Sequence, residues 1–331
     1  RMVISGGRVE LTNTLTVGNR SSGSLAISGG EVTATNLVLI RVATNVVSTV
    51  ELSGGTLSLY GMASISSFGG SSNLWLSGGT LAALKNFTNS LTTTLTNSPG
   101  PGLFTFSTVH TNTQSGGLTG PGGLAKAGVG LLRLTQVNDF TGETVVDVGT
   151  LGLVTNGSID NSTSITVSAG ATLNAALRTD RTLTLGAAQT LKGSGTVLGN
   201  VTNSGTVAPG ASPGILSVVG DYNQTGTLAI ELSGTTPGSG HDVLAVASNA
   251  VLGGTLTVTT PSFTPSGGQS FTVLTATAVS GTFATTNLPA GDWTVDYQAD
   301  KVVLSLAGGS GPTVGPVTLT RDYGQSLHVL E

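Results

Sequence analysis

Four times in its first eighty residues the chain writes an alternating apolar run that ends in Ser-Gly-Gly: MVISGG, SLAISGG, TVELSGG and NLWLSGG. The second glycines are Gly7, Gly30, Gly55 and Gly79, which lie 23, 25 and 24 residues apart. A fixed period of this length marks a stacked architecture, because each copy is too short to bury its own apolar face and covers it only against the next. Within the copies, Leu25 and Ile27, Val50 and Leu52, and Leu74 and Leu76 hold alternate positions. Period two predicts strands with one buried face. After each double glycine a second run, RVEL, EVTA, TLSL or TLAA, brings Val9, Val32, Leu57 and Leu81 to one shared position, and a third follows as TLTVG, NLVLI or MASIS. The expected coil has about three short strands. Gly-Gly supplies the corner, where positive φ or close backbone approach excludes a side chain. The predicted fold class is all-β, a parallel β-helix (β-solenoid) closed by a β-rich C-terminal cap. A β-sandwich is the alternative weighed, but a sandwich gives no reason to repeat a corner at this interval.

Composition agrees and excludes several functions. The chain has 50 glycines in 331 residues, 8% charged residues, no cysteine and a net charge of -4. Thr, Ser and Asn occupy places that Lys and Glu usually take, which suits pleated surface better than helix. No basic footprint for nucleic acid is present. No apolar run reaches the roughly 18 residues of a membrane-spanning helix. Disulfides, thiolate zinc sites and thiol catalysis are excluded together. The opening at Arg1 is read as processing or excision from a longer protein.

The central stretch 123–154, GLAKAGVGLLRLTQVNDFTGETVVDVGTLGLV, resembles the autotransporter-associated β-strand repeat (passenger-associated transport repeat) family of bacterial surface proteins. The resemblance rests on Leu124, Lys126, Gly128, Gly130, Leu132, Leu134, Asn138, Phe140, Thr141, Gly142, Thr144, Val146, Gly149, Thr150 and Leu151. GTVAPGASPGILSVVGDYNQTGTLAIELSG at 205–234, then HDVLAVASNAVLGGTLTV and VSGTFATTNLP, are similar to the stretch that closes such passengers. Together they cover roughly 120–306. The resemblance implies a right-handed parallel β-helix (β-solenoid) exported to the cell surface.

Four segments are expected: N-terminal solenoid coils at 1–118, family-type repeats at 119–235, terminal coils and a β cap at 236–307, and a linker with the start of a further module or a cloning scar at 308–331. Gly/Pro-rich stretches at 97–102 and 115–123 are read as irregular coils or joints. The cap is placed at 270–306, because an open solenoid end is a sheet edge that invites association.

Chemistry is sparse. His110, His241 and His328 lack ligand spacing, so no metal and no cofactor is expected. GASPG at 210–214 fits a nucleophile-elbow expression, but that motif needs a strand feeding a helix, and a turn fixed by Pro209 and Pro213 is the better reading. Asp139, Glu143 and Asp147 come nearest to the carboxylate cluster of a polysaccharide-degrading β-helix, yet their spacing fits a strand poorly and a solvated edge is expected. Lys126 is read as a solvated lysine rather than an anion ligand, and Phe140 as packing over a coil corner. Trp75 is predicted to point outward, with Tyr60 and Phe68 one coil upstream, as a possible carbohydrate or protein contact. Arg1, Met2, Val3 and Ile4 form a candidate stacking edge for end-to-end self-association. No catalytic residue is assigned. The expected role is a non-catalytic stalk or passenger segment outside a bacterial cell, supporting adhesion to a host or matrix glycan or surface display. A self-assembling fibre subunit and a polysaccharide-degrading enzyme are the alternatives.

Overall fold

The computed structural model describes residues 1–41, 45–66, 71–97, 102–210 and 212–308. Among these the chain is all-β, and parallel strands stack turn on turn as a β-solenoid. One ladder passes from Met2–Asn19 to Gly23–Arg41, Val47–Leu59, Thr80–Ala83, Leu103–Thr108 and Gly123–Ala127, always in parallel. It continues through Thr144–Val146, Ser164–Val167, Thr190–Gly193, Thr206–Pro209, Thr227–Glu231 and Thr255–Thr259 to Thr285–Asn287. This parallel pairing runs without interruption past residue 119. A second sheet of 11 strands and a third of 5 form the other walls.

Register carries the alternation of the sequence into the core. Ile4 pairs with Ile27, Ile27 with Leu52, Leu52 with Leu76 and Leu76 with Leu95, giving one buried apolar column. Val9, Val32, Leu57 and Leu81 make the next column. Burial of such side chains at about 1.5–3 kcal/mol each is the main favourable contribution to the stack.

The opening corner has a steric cause. Gly30 and Gly55 adopt φ of 76° and 67°. A Cβ on Gly30 would lie 2.4 Å from the carbonyl oxygen of Gly7, and one on Gly55 2.5 Å from that of Gly30. Each double glycine therefore sits directly on the preceding one. In the first coils this close stacking lets pairing run through the corner, with register shifts at Ile4/Ser5 and Ser5/Arg8, so Met2–Asn19 is one bent 18-residue strand instead of separate short runs. From Met62 onward the runs are short and separate, as in Met62–Ser66, Ser71–Leu76 and Thr80–Ala83.

Amide side chains also line the interior. Asn89 and Gln114 are register partners, and the Asn89 amide donates to Gln114 Oε1 at 2.7 Å. Gln114 Nε2 then donates to the Leu91 and Gly116 carbonyls at 3.0 and 2.9 Å. Asn138 accepts from the Leu118 N–H and donates to the Gln136 and Ser158 carbonyls. Gln189 donates to the Ile159 and Ser162 carbonyls, and Asn203 to that of Thr227. These amides satisfy carbonyl groups that the chain exposes inward as it turns, which would otherwise cost about 1–3 kcal/mol each.

At the C-terminal end the pairing changes sense. Lys301–Leu306 lies antiparallel to Ser270–Thr275, and Trp293–Tyr297 antiparallel to Lys301–Leu306. Phe271 is wholly buried there, with the rings of Phe263, Trp293 and His241 around it.

Candidate functional site

One open cleft of about 350 Å³ lies on the solvent face of the first sheet. Its floor is made of short outward side chains brought into line by register, Ala208 beside Lys192 and Ala229 beside Thr257. The 210–214 turn stands on one side and Glu231 and Asp242 on another. The Ser212 hydroxyl donates to both Glu231 carboxylate oxygens, at 2.9 and 2.7 Å, and the Ser233 hydroxyl adds a third bond to Oε1 at 2.6 Å. Asp242 is 4% exposed and accepts from the Gly214 N–H on Oδ1 and the Glu231 N–H on Oδ2, both at 2.8 Å. Burial pushes its carboxyl up to about 6; the two N–H donors pull the other way and the nearby Glu231 charge adds to the rise. Asp242 thereby ties the turn to the strand end.

The arrangement does not assemble a nucleophile. A Ser-His-acid relay needs the imidazole within reach of the hydroxyl. His241, although adjacent to Asp242, turns into the interior, where Nε2 lies 3.2 Å from the Thr272 carbonyl and the ring meets Phe271 edge-on at 5.4 Å. GASPG is a turn between Thr206–Pro209 and Ile215–Val219, with Ala211 outside the described residues. Among the described residues no group of three or more His, Cys, Asp or Glu side chains could hold a metal ion. Asp139, Glu143 and Asp147 are all exposed.

Trp75 and Tyr60 are each 41% exposed. They stand on different runs, Trp75 in Ser71–Leu76 beside Glu51 and Thr94, and Tyr60 just beyond Val47–Leu59. Lys85 Nζ sits 5.5 Å from the Tyr60 ring centroid, within cation–π range. The structure does not join the two rings into one patch. Phe68 and His328 lie outside the described residues. Met2 and Val3 are 45% and 56% exposed on the first strand, and Ile4 is buried.

One reading is corrected. Lys126 is not solvated: it is fully buried, and its ammonium donates to the carbonyls of Ala127, Gly128 and Val148 at 2.9, 2.6 and 3.1 Å. Desolvation lowers it to about 8. It fastens a corner to the next coil. Phe140, in the connection between Leu131–Leu134 and Thr144–Val146, is fully buried in the core. Parity could have found Lys126, since its register partners Phe106 and Val146 are inward residues. Asp242 left no comparable signal, because its partners come from segments 11 and 28 residues away.

No family model matches the chain, and no curated protein matches it.

Proposed function

We propose that the chain is a non-catalytic rod, a stalk or passenger segment of a large bacterial secreted or cell-surface protein that supports adhesion or surface display. The observation that carries this reading is the parallel ladder from Met2–Asn19 to Thr285–Asn287, in which successive coils satisfy one another's backbone and apolar faces. Such a body spaces what is attached to it and offers proteases few openings. The resemblance of 123–154 and 205–234 to autotransporter repeats supports export and an extracellular or outer-surface location. The antiparallel strands at 293–306 act as the cap that blunts one end. Trp75 and Tyr60 are the outward aromatics for a host or matrix glycan or a protein contact. Among the described residues no helix is long and apolar enough to cross a membrane.

The open edge of Met2–Asn19 favours a second reading, a self-assembling fibre subunit that stacks through Arg1, Met2, Val3 and Ile4. The antiparallel strands at the other end weigh against it. For the enzyme alternative, the test is incubation with acidic and neutral polysaccharides with and without calcium. No turnover is expected, and turnover of any of them overturns the non-catalytic reading.

A further inference from the structure

The cleft over Ala208 and Ala229 is built more firmly than a turn of the rod requires. Ser212, although not a glycine, is held at a φ of 83° with its hydroxyl on the Glu231 carboxylate. A side chain in the left-handed region costs stability and persists only where its surroundings fix it, which is why such residues concentrate at working sites. The surroundings here do fix it. Gly210 exchanges two backbone hydrogen bonds with Gly193, at 2.8 and 3.1 Å, and a Cβ on it would collide with Asp242 Oδ1. Asp242, the one buried carboxylate among the described residues, then holds Gly214 and Glu231 by their N–H groups.

Two charges in the cleft lack partners. Lys192 is exposed, and its column neighbours Thr166 and Ala208 are uncharged. Glu231 is half-buried on a strand two spacings further along the rod, about 10 Å away at ~4.8 Å per strand. Among the described residues neither has an ion-pair partner. A carboxylate offers about four acceptor positions. Ser212 and Ser233 occupy Oε1, and Oε2 receives Ser212 alone, so Oε2 keeps capacity for a further donor.

These features select a ligand class by exclusion. A metal cation would meet the Lys192 ammonium and two carboxylates, of which Asp242 is already engaged. A small inorganic anion would use Lys192 but face Glu231. An extended peptide finds no free strand edge, because the strands from Thr190–Gly193 to Thr255–Thr259 are each paired on both sides and the Glu231 N–H is taken by Asp242. An aromatic base finds no ring to stack on, since among the described residues no aromatic side chain lines the cleft.

We infer that the cleft binds a uronic-acid unit of an acidic saccharide, with the sugar carboxylate on Lys192, ring hydroxyls donating to Glu231 Oε2, and the C–H face of the ring on the Ala208 and Ala229 methyl groups. The volume of about 350 Å³ admits a pyranose ring. Hydroxyl donors suit Glu231, which already accepts from serine hydroxyls, and the single carboxylate of a uronate matches the single ammonium. The site lies apart from Trp75 and Tyr60 and depends neither on those rings nor on the rod being a stalk.

The test is titration of the chain with D-galacturonate, D-glucuronate and the disaccharide of galacturonate, followed by backbone amide chemical shifts, with D-galactose, D-glucose and acetate as controls. At least one uronate should shift the amides of Lys192, Ala208, Ala229 and Thr257 and bind about tenfold or more tighter than its neutral counterpart. Lys192→Gln should erase that preference and leave the melting temperature unchanged, because the side chain is exposed and unpaired. Lys85→Gln, at an exposed lysine elsewhere on the rod, should leave binding as it was. No shift from any of these uronates, equal shifts from acetate, equal affinity for the neutral sugar, or a preference that survives Lys192→Gln each overturns the inference.

Discussion

At the scale of single residues, two buried ionisable groups act as fasteners in a chain with little charge. Lys126 ties a corner to the following coil through three carbonyl groups, and Asp242 ties the 210–214 turn to the end of Thr227–Glu231. Asp242 has a pH signature. Its folded value, about 6, lies above an unfolded value of about 4, so the folded state binds the proton more tightly. The stabilisation from this group is complete below the unfolded value and is lost as pH rises through the folded one. The stability difference between wild type and Asp242→Asn should therefore shift by about 1 kcal/mol in favour of wild type from pH 7.5 to pH 5. Thermal melting at the two pH values checks it; a difference that stays constant means that Asp242 is not the titrating fastener. The inward ladder from Leu25 to Leu76 was legible because alternation in sequence is alternation of faces in a strand. Lys126 was misread because residue type was weighed above parity.

At the scale of elements, the corner decides where order was readable. The Ser-Gly-Gly corners were visible as a period, and their cause is backbone stacked on backbone. The inner amides left a fainter trace, since Asn and Gln are also common in exposed turns. Nothing in the spacing of Asn89, Gln114 and Asn138 separates an inward amide from a solvated one. The Asn89–Gln114 pair predicts coupling between neighbouring coils. Asn89→Ala and Gln114→Ala should each destabilise, and because each removes a partner of the other, the double variant should lose less than the sum by about 0.5–2 kcal/mol. Additive losses in denaturant unfolding would show that the 2.7 Å contact carries no coupling. The cleft by Ser212 was legible only as the GASPG expression, because its Glu231 and Asp242 walls are brought there by register and a loop, not by proximity in sequence.

At the scale of the molecule, one period in the first eighty residues was enough to give the architecture, because a stack repeats the same local solution. Function was less legible, since the proposed role of a spacing rod works through length, rigidity and ends, and these need no diagnostic side chain. The two ends differ in kind: an open parallel strand at Met2–Asn19, and antiparallel strands at 293–306. The antiparallel strands at 293–306 favour the proposed stalk over a fibre subunit. Electron microscopy of the purified chain across a concentration series tests this most directly. Discrete short rods of one chain length at every concentration are predicted, whereas long filaments with a repeat near one chain length would contradict the stalk and make the rod a self-assembling subunit.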